Sequence, residues 1–258
     1  MSTATELRRA RPVQAVLAPI VLGLLVVLAW QGAVTAFAIK PFILPAPFAI
    51  GAELAANLQS VLAGMTVTGG NALVGLLLGA VLGVLLAILS ALVRVLDGMA
   101  APIVSSIAVV PIVALAPVLY TMFGAGAETA RQLVAALAVF VPVYFNTLRG
   151  LRQVRPVHRD LMRSYAASSW QATRTVTLPT ALPFVFTGLR IASSLAVISA
   201  LIAEYFGGPV GGLGKSITSA AASSNYGLAW AYVLGSIILG LVFYGGALGI
   251  EKLATRRT

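Results

Sequence analysis

The chain has 258 residues, of which 59% are apolar and only 9% are charged. A soluble globular chain carries about 25% charged residues, so this chain lacks the polar surface that would face water on all sides. The composition argues against a soluble enzyme or nucleic-acid-binding domain and indicates a membrane protein with several spans. There is no cysteine and a single histidine, His158, which leaves no disulfide framework and no thiolate or histidine-rich metal site.

Long uncharged stretches predict six membrane-spanning helices in one all-α domain, residues 1–258, because a helix needs about 20 apolar residues to cross the hydrocarbon core. The first stretch precedes Ala36-Phe37-Ala38, which is similar to a signal-peptide cleavage site. It is too long for the apolar part of a secretory signal, so we expect a permanent helix. The expected spans are Val16–Phe37, Gly64–Leu92, Ile103–Met122, Leu133–Leu148, Leu182–Ala203 and Leu228–Ile250.

The positions of lysine and arginine predict the orientation of these spans. With a cytoplasmic N-terminal tail, residues 1–14, 14 of the 17 basic and 4 of the 7 acidic residues fall inside, a net charge of +10. The outside then carries three basic residues, Lys40, Arg131 and Lys215, and three acidic ones, a net charge of zero. The basic excess therefore indicates that both termini are cytoplasmic, next to anionic lipid, and gives no reason to expect a nucleic-acid partner.

Between the first two spans, three prolines in Pro41–Pro47 forbid a helix. The following segment, Phe48–Leu62, has one polar stripe on an apolar helix, which is typical of a segment at the outer membrane interface, although a plain loop is the alternative. The second span then repeats small residues every four positions from Gly75 to Ala91, and Gly245 and Gly249 repeat the pattern in the last span. Such a face allows close helix packing, either within one subunit, which we favour, or across a dimer.

The most organised segment lies between the fourth and fifth spans, at about residues 150–179. Pro156 can open one short helix, and the spacing of Ser168 and Gln171 predicts a capping box at the start of a second. We expect the second helix to stop near Leu178, before Pro179, and an elbow at Ala166-Ala167 to join the pair. Apolar side chains on these cytoplasmic helices would require a partner: Val157, Leu161, Met162, Tyr165 and Trp170.

The segment after the fifth span, Gly207–Ser216, ends like a phosphate-binding loop, but Pro209 replaces the first glycine and no strand precedes it. We therefore expect a mobile loop that caps a pore entrance, next to Glu204 and Tyr205 as candidate gate or pathway residues. No carboxylate lies in the middle of a span, which argues against a proton-coupled carrier. The source of energy for transport must then lie outside this chain.

The stretch Asp160–Pro179 resembles the "EAA" signature of permease subunits of bacterial ABC importers. That signature reads Glu-Ala-Ala, three residues, Gly, nine residues, then Ile-x-Leu-Pro. Further along, Leu178–Pro183, Thr187–Ala192, Leu44–Pro47 and Ala203–Gly207 are similar to the sulfonate/nitrate/taurine branch, and the resemblance covers roughly residues 15–250. The matching positions are Asp160 at the Glu, Leu161 and Met162 at the two Ala, Ala166 at the Gly, with Ala167 beside it, Val176 at the Ile, and Leu178 and Pro179 at the Leu-Pro.

The resemblance implies a multi-pass permease in the bacterial inner membrane, paired with a second permease subunit, a cytoplasmic ATPase dimer and an extracytoplasmic solute-binding protein. The two short helices would be coupling helices, and ATP and Mg would bind to the ATPase, so this chain would hold no cofactor or metal and catalyse no reaction. The cargo would be a sulfonate-, nitrate- or taurine-like anion, or a pyrimidine- or riboflavin-type vitamin precursor. A secondary carrier or channel without an ATPase is the alternative, and a membrane-embedded enzyme is disfavoured because no polar catalytic cluster is found.

Overall fold

The computed structural model describes residues 12–124, 126–208 and 211–255, and these residues form helices joined by short turns. Among them, five helical segments are long and apolar enough to cross a membrane, and a bent pair makes a possible sixth. The helices are α1 Pro12–Ala36, α2 Pro47–Ala56, α3 Leu58–Leu92, α4 Arg94–Val109, α5 Ile112–Phe123, α6 Thr129–Arg152, α7 Pro156–Ser164, α8 Ser169–Ala172, α9 Leu178–Phe206, α10 Leu213–Ala222 and α11 Tyr226–Thr255.

The centre of the fold is a three-helix contact of α3, α6 and α9. Gly75, Gly79 and Gly83 form one buried face of α3, against which the backbone of α6 packs directly. A Cβ atom at Gly79 would lie 2.3 Å from the carbonyl oxygen of Ala136 on α6, so only glycine permits this approach. The favoured interpretation of the small-residue repeat, packing within one subunit, is confirmed for α3. Among the described residues, no atom outside the neighbouring backbone of α11 comes within 4 Å of a Cβ placed at Gly245 or Gly249.

The third expected span is not one continuous helix. The structure divides Ile103–Met122 into α4 and α5, which bend by 101° across their junction. Val110 is extended (φ −63°, ψ 127°) and precedes Pro111. A proline disfavours the helical conformation in the residue before it and has no N–H to donate, which accounts for the break.

The fifth span also differs from the prediction, because the helix does not stop near Leu178. α8 continues through a π-helical turn, Thr173–Thr177, into α9, so that one apolar helical segment runs from Ser169 to Phe206. In the π turn, the N–H of Leu178 donates to the carbonyl oxygen of Thr173, five residues earlier. This wider turn accommodates Pro179 in the second position of α9, where an ordinary helix would clash with the proline ring.

Two ends of the helical assembly can be distinguished. The carboxyl end of α6, the short helices α7 and α8 and the amino end of α9 lie at one end, which we call the α7–α8 end. α10 lies between the carboxyl end of α9 and the amino end of α11, at the opposite end. The segment expected at the outer interface, Phe48–Leu62, is helical and divides at Asn57 into α2 and the start of α3. The expected N-terminal tail comprises residues 1–14, and its residues 1–11 lie outside the described part of the chain.

Candidate functional site

The two short helices are joined by the sharp elbow that the sequence predicts. Ala166 has φ 49°, in the left-handed region that favours glycine, at the position where the similar signature has glycine. Immediately after it, Ser168 and Gln171 form the predicted capping box. The backbone N–H of Gln171 donates to Ser168 Oγ at 3.3 Å, and the N–H of Ser168 donates to Gln171 Oε1 at 2.8 Å. The elbow is therefore a defined turn and fixes the direction of the second helix.

Large apolar side chains of this element face away from the rest of the chain. We call Val157, Leu161, Tyr165 and Trp170 the exposed patch; their exposed fractions are 67%, 51%, 75% and 68%. The patch is flanked by basic side chains, Arg159 and Arg163 among them, which are poorly suited to the hydrocarbon core. An exposed apolar surface of this kind is typical of a site that contacts another protein or a membrane surface.

The remaining predicted residues of this element divide into two groups. Leu161, Met162, Val176 and Pro179 are brought together and line a shallow cavity of about 510 Å³ between α7 and the start of α9. Asp160 lies outside this cavity; its carboxylate is 3.5 Å from the guanidinium of Arg163, and both side chains are mostly exposed. Ala167 follows the elbow, and Leu178 is half-exposed at the π turn.

Two ion pairs at the α7–α8 end connect neighbouring helices, and the sequence analysis missed both. Arg152, the last residue of α6, pairs with Asp97 of α4. Arg190 of α9 pairs with Glu251 of α11, with Arg190 Nη1 3.2 Å from Glu251 Oε2. Three residues separate Arg152 from the start of α7, so this pair connects the segment that leads into α7 with α4.

Glu204, predicted as a gate or pathway residue, lies in a buried polar cluster at the opposite end. Its carboxylate and the guanidinium of Arg131 are both 0% exposed, with 3.7 Å between Arg131 Nη1 and Glu204 Oε1. The hydroxyl of Thr68 donates to Glu204 at 3.0 Å, and the hydroxyl of Tyr120 accepts from Arg131 Nε at 3.4 Å. The cluster therefore connects α3, α5, α6 and α9. Tyr205 is 39% exposed beside it.

The same carboxylate fixes the start of α10. The N–H of Gly214 donates to Glu204 Oε2 at 2.7 Å, and the N–H of Leu213 donates to Thr68 Oγ1 at 2.8 Å. A Cβ at Gly212 would lie 2.3 Å from the Glu204 carboxyl carbon, which explains the glycine there. The prediction of a mobile loop is therefore wrong for residues 211–216, where the chain enters α10 and the first turn of that helix is buried. Pro209 and Val210 lie outside the described residues.

Sequence reasoning placed Arg131 on the outside as a topology marker, yet it is fully buried. Buried charges in proteins are usually paired with an opposite charge. Arg131 at the start of one apolar helix and Glu204 at the end of another could therefore have indicated an ion pair. What could not be seen was that α6 and α9 run side by side in opposite directions and bring the two together. The hydrogen bonds and the ion pair of the cluster hold α3, α5, α6, α9 and the start of α10 together.

The chain is similar to known membrane proteins in sequence and in fold. Residues 79–254 match the family model described as the binding-protein-dependent transport system inner membrane component. The chain is 36% identical over 240 residues to the riboflavin transport system permease protein RibX of Chloroflexus aurantiacus. The aligned region covers 92% of this chain and 88% of RibX. It is 34% identical over 162 residues to the taurine transport system permease protein TauC of Escherichia coli, covering 62% and 57% of the two chains.

A similarity to a solved structure supports the helix arrangement. The crystal structure of an amino acid ABC transporter with histidines contains a chain with a TM-score of 0.61, at 17% sequence identity. The match covers 80% of this chain and 97% of that one. At this level of identity the similarity shows the fold alone.

Proposed function

The chain belongs to the family of inner-membrane components of binding-protein-dependent transport systems, the permeases of ABC importers, and on that premise we propose that it moves a small solute into the cytoplasm at the expense of ATP hydrolysed by a partner. Members of this family are transport permeases and not enzymes, and they work with an ATPase and a solute-binding protein. ATP and Mg²⁺ would be bound by the ATPase and not by this chain.

The exposed patch is the observation that carries this proposal. Four large apolar side chains are more than half exposed on two short helices that also carry several arginines, so the surface is suited to a protein partner in water and not to lipid. The rigid elbow at Ala166 and the capping box give this surface a fixed shape. A secondary carrier or channel would have no need for a preformed docking surface of this kind.

The helices in contact with this element provide the route by which ATPase closure would open the transport pathway. α7 follows directly on α6, and α8 is continuous with α9 through the π turn. Movement of the docked pair would therefore shift α6 and α9 together, and these two helices carry the main contacts of the core. The result is alternating access by rigid-body motion, driven from outside the chain.

The assembly that we propose contains two copies of this permease, two ATPase subunits at the α7–α8 end, and a binding protein at the opposite end. The α7–α8 end then faces the cytoplasm together with both termini, in agreement with the net charge of +10 assigned to that side of the membrane. Relatives named for riboflavin and taurine transport support a small organic solute as cargo. A sulfonate-, nitrate- or taurine-like anion and a pyrimidine- or riboflavin-type vitamin precursor are the candidate classes.

Substitutions at the elbow test the proposal. Ala166→Gly should leave ATPase co-purification and solute uptake unchanged, because glycine adopts φ 49° without strain. Ala166→Val should reduce both at least tenfold, because a β-branched residue is strongly disfavoured in this conformation and misaligns α8. Ala166→Glu adds a long charged side chain beside the docking surface and should have the same effect.

The expression level and thermal stability of the permease serve as controls, since the elbow lies on the surface and should contribute little to the stability of the helical core. If Ala166→Val and Ala166→Glu both retain wild-type uptake and bind the ATPase normally, the two short helices are not the coupling element. The importer mechanism would then lose the observation on which it depends.

A further inference from the structure

A pocket lies at the end opposite the short helices, where α2 meets the start of α11. It is enclosed by the turn between α1 and α2, by one side of α2 and by the first residues of α11. Its volume is about 630 Å³, within the range of small-molecule sites. Most of the side chains that line it are small or apolar, and the polar ones are Glu53 and Asn225. The described lining therefore contains one acidic group and no basic group.

Two tryptophans show the depth of this pocket in the membrane. On α1, Trp30 lies one turn before the lining residue Val34, and on α11, Trp230 lies one turn after the lining residue Gly227. The two indole rings meet edge to face, with their centroids 5.6 Å apart. Tryptophan is enriched at the interface between membrane and water, and the apolar run of α1 ends at Ala36. The pocket therefore lies at the depth of phospholipid headgroups.

The carboxylate of Glu53 is held in place without being neutralised. Asn57 Nδ2 donates to Glu53 Oε2 at 3.0 Å. On its other side, Glu53 packs against Gly227, where a Cβ would lie 3.0 Å from Glu53 Cγ. Glu53 is half-buried and makes no ion pair with any described residue. A half-buried carboxylate beside apolar walls is stabilised by a cationic neighbour, so this pocket is suited to an ammonium group.

One basic side chain stands at the edge of the same pocket. Lys40 lies between Ile39 and Pro41, and both of these residues line the cavity. Lys40 is exposed, and its Nζ lies 6.0 Å from the centroid of the Phe42 ring. It makes no ion pair with any residue that the structure describes. The pocket and its edge therefore offer one negative and one positive group, which match the ammonium and the phosphate of a zwitterionic phospholipid headgroup.

Two other occupants fit these groups less well. An anionic phospholipid such as phosphatidylglycerol would bring a phosphate toward Glu53 without an ammonium group to offset the repulsion. A helix of a second subunit would place apolar side chains against the half-buried carboxylate, and burying an unpaired charge is costly. Part of the wall is also a turn that contains Pro41 and Pro45, whereas paired membrane helices meet along faces of small residues.

We propose that this pocket binds the headgroup of phosphatidylethanolamine, with the lipid ammonium on Glu53 and the phosphate next to Lys40. The lipid ammonium donates hydrogen bonds to the carboxylate oxygens, and the lysine ammonium donates to the phosphate. The acyl chains extend into the hydrocarbon core beside α1, whose apolar side chains are exposed. In the proposed orientation this lipid belongs to the outer leaflet. The site goes beyond the proposed function, because it assigns a lipid partner and no step of transport.

Lipid titration of the purified, delipidated full-length permease in dodecyl maltoside, read by native mass spectrometry, tests this site. Dioleoyl phosphatidylethanolamine should bind about tenfold more tightly than dioleoyl phosphatidylglycerol, as expected for one additional hydrogen bond between charged groups. Glu53→Gln should remove this preference, because glutamine still accepts from Asn57 but carries no charge. Glu128→Gln is the matched control: it removes an exposed carboxylate at the start of α6, at the same end but outside the pocket, and should leave the preference unchanged.

Filling the pocket gives a second variant that does not alter charge. Ala49 is exposed and lines the cavity, so Ala49→Phe should weaken binding of phosphatidylethanolamine without lowering the melting temperature of the lipid-free permease. Binding of phosphatidylethanolamine by Ala49→Phe with the affinity of wild type would place the lipid elsewhere and overturn the site.

Three other results would also overturn it. They are equal affinity of wild type for the two lipids, tighter binding of phosphatidylglycerol, and a preference for phosphatidylethanolamine that survives Glu53→Gln. In the last case, weaker docking of the solute-binding protein to Glu53→Gln would assign the pocket to that protein. The lipid titration needs neither an ATPase nor a solute, so a negative result beside normal ATP-driven uptake would leave the proposed function intact.

Discussion

The packing of α3 against α6 predicts opposite effects for the same substitution at two glycines of one helix. At Gly79, the Cβ of alanine would lie 2.3 Å from the Ala136 carbonyl oxygen and 2.8 Å from Val139 Cβ, so the helices must separate. Overpacking of this kind costs about 1–3 kcal/mol. At Gly70, no atom of the described residues outside the neighbouring backbone of α3 lies within 4 Å of the new Cβ, and replacing glycine by alanine in a helix gains about 0.8–1.0 kcal/mol.

The helix-propensity gain applies to both variants, so they should differ by the overpacking alone, about 1–3 kcal/mol in the free energy of unfolding, with Gly79→Ala the less stable. Thermal unfolding of both variants in one detergent measures the difference, which should be at least about 2 °C in the melting temperature. Equal melting temperatures would refute the packing argument. A loss of dimer with unchanged subunit stability in Gly79→Ala would show instead that this face of α3 is a seam between subunits.

Three further changes test the buried cluster, the orientation and the surface ion pair. Arg131→Met should destabilise the permease by about 3–5 kcal/mol, because Glu204 is left buried and unpaired, and adding Glu204→Gln should recover part of that loss; additive thermal unfolding effects would contradict the pairing. In a chain without native thiols, an impermeant maleimide should label Ser223→Cys in intact cells and Ser168→Cys only after the membrane is opened; the reverse pattern would contradict the orientation. Asp160→Ala should keep at least half of the uptake, since an exposed pair contributes at most about 1 kcal/mol; near-complete loss would show that Asp160 contacts the ATPase.

Features governed by local rules could be predicted from the sequence. The capping box at Ser168 and Gln171 depends on a spacing of three residues, and the small-residue face of α3 follows directly from helical periodicity. The elbow was expected at Ala166 because the similar signature has glycine there, and its φ of 49° agrees. Each of these needs only a few neighbouring residues to specify it.

Features that depend on tertiary packing were missed or mistaken. The Arg131–Glu204 pair requires α6 and α9 to lie antiparallel, which no local pattern reveals. At Pro179, the rule that a proline ends the preceding helix failed because a π-helical turn inserts the extra residue that relieves the clash. At Pro111, the same rule accounts for the break in the third span, for which one continuous helix was expected.

Photocrosslinking from the exposed patch tests the coupling proposal most directly. Trp170→p-benzoylphenylalanine, in cells that express the whole transport system, should give a covalent adduct with the ATPase subunit, because this side chain is 68% exposed on the proposed docking surface. The same replacement at Phe37, which is 79% exposed after α1 at the opposite end, should give no such adduct. Absence of an ATPase adduct at Trp170, or an equal yield at both positions, would contradict the account.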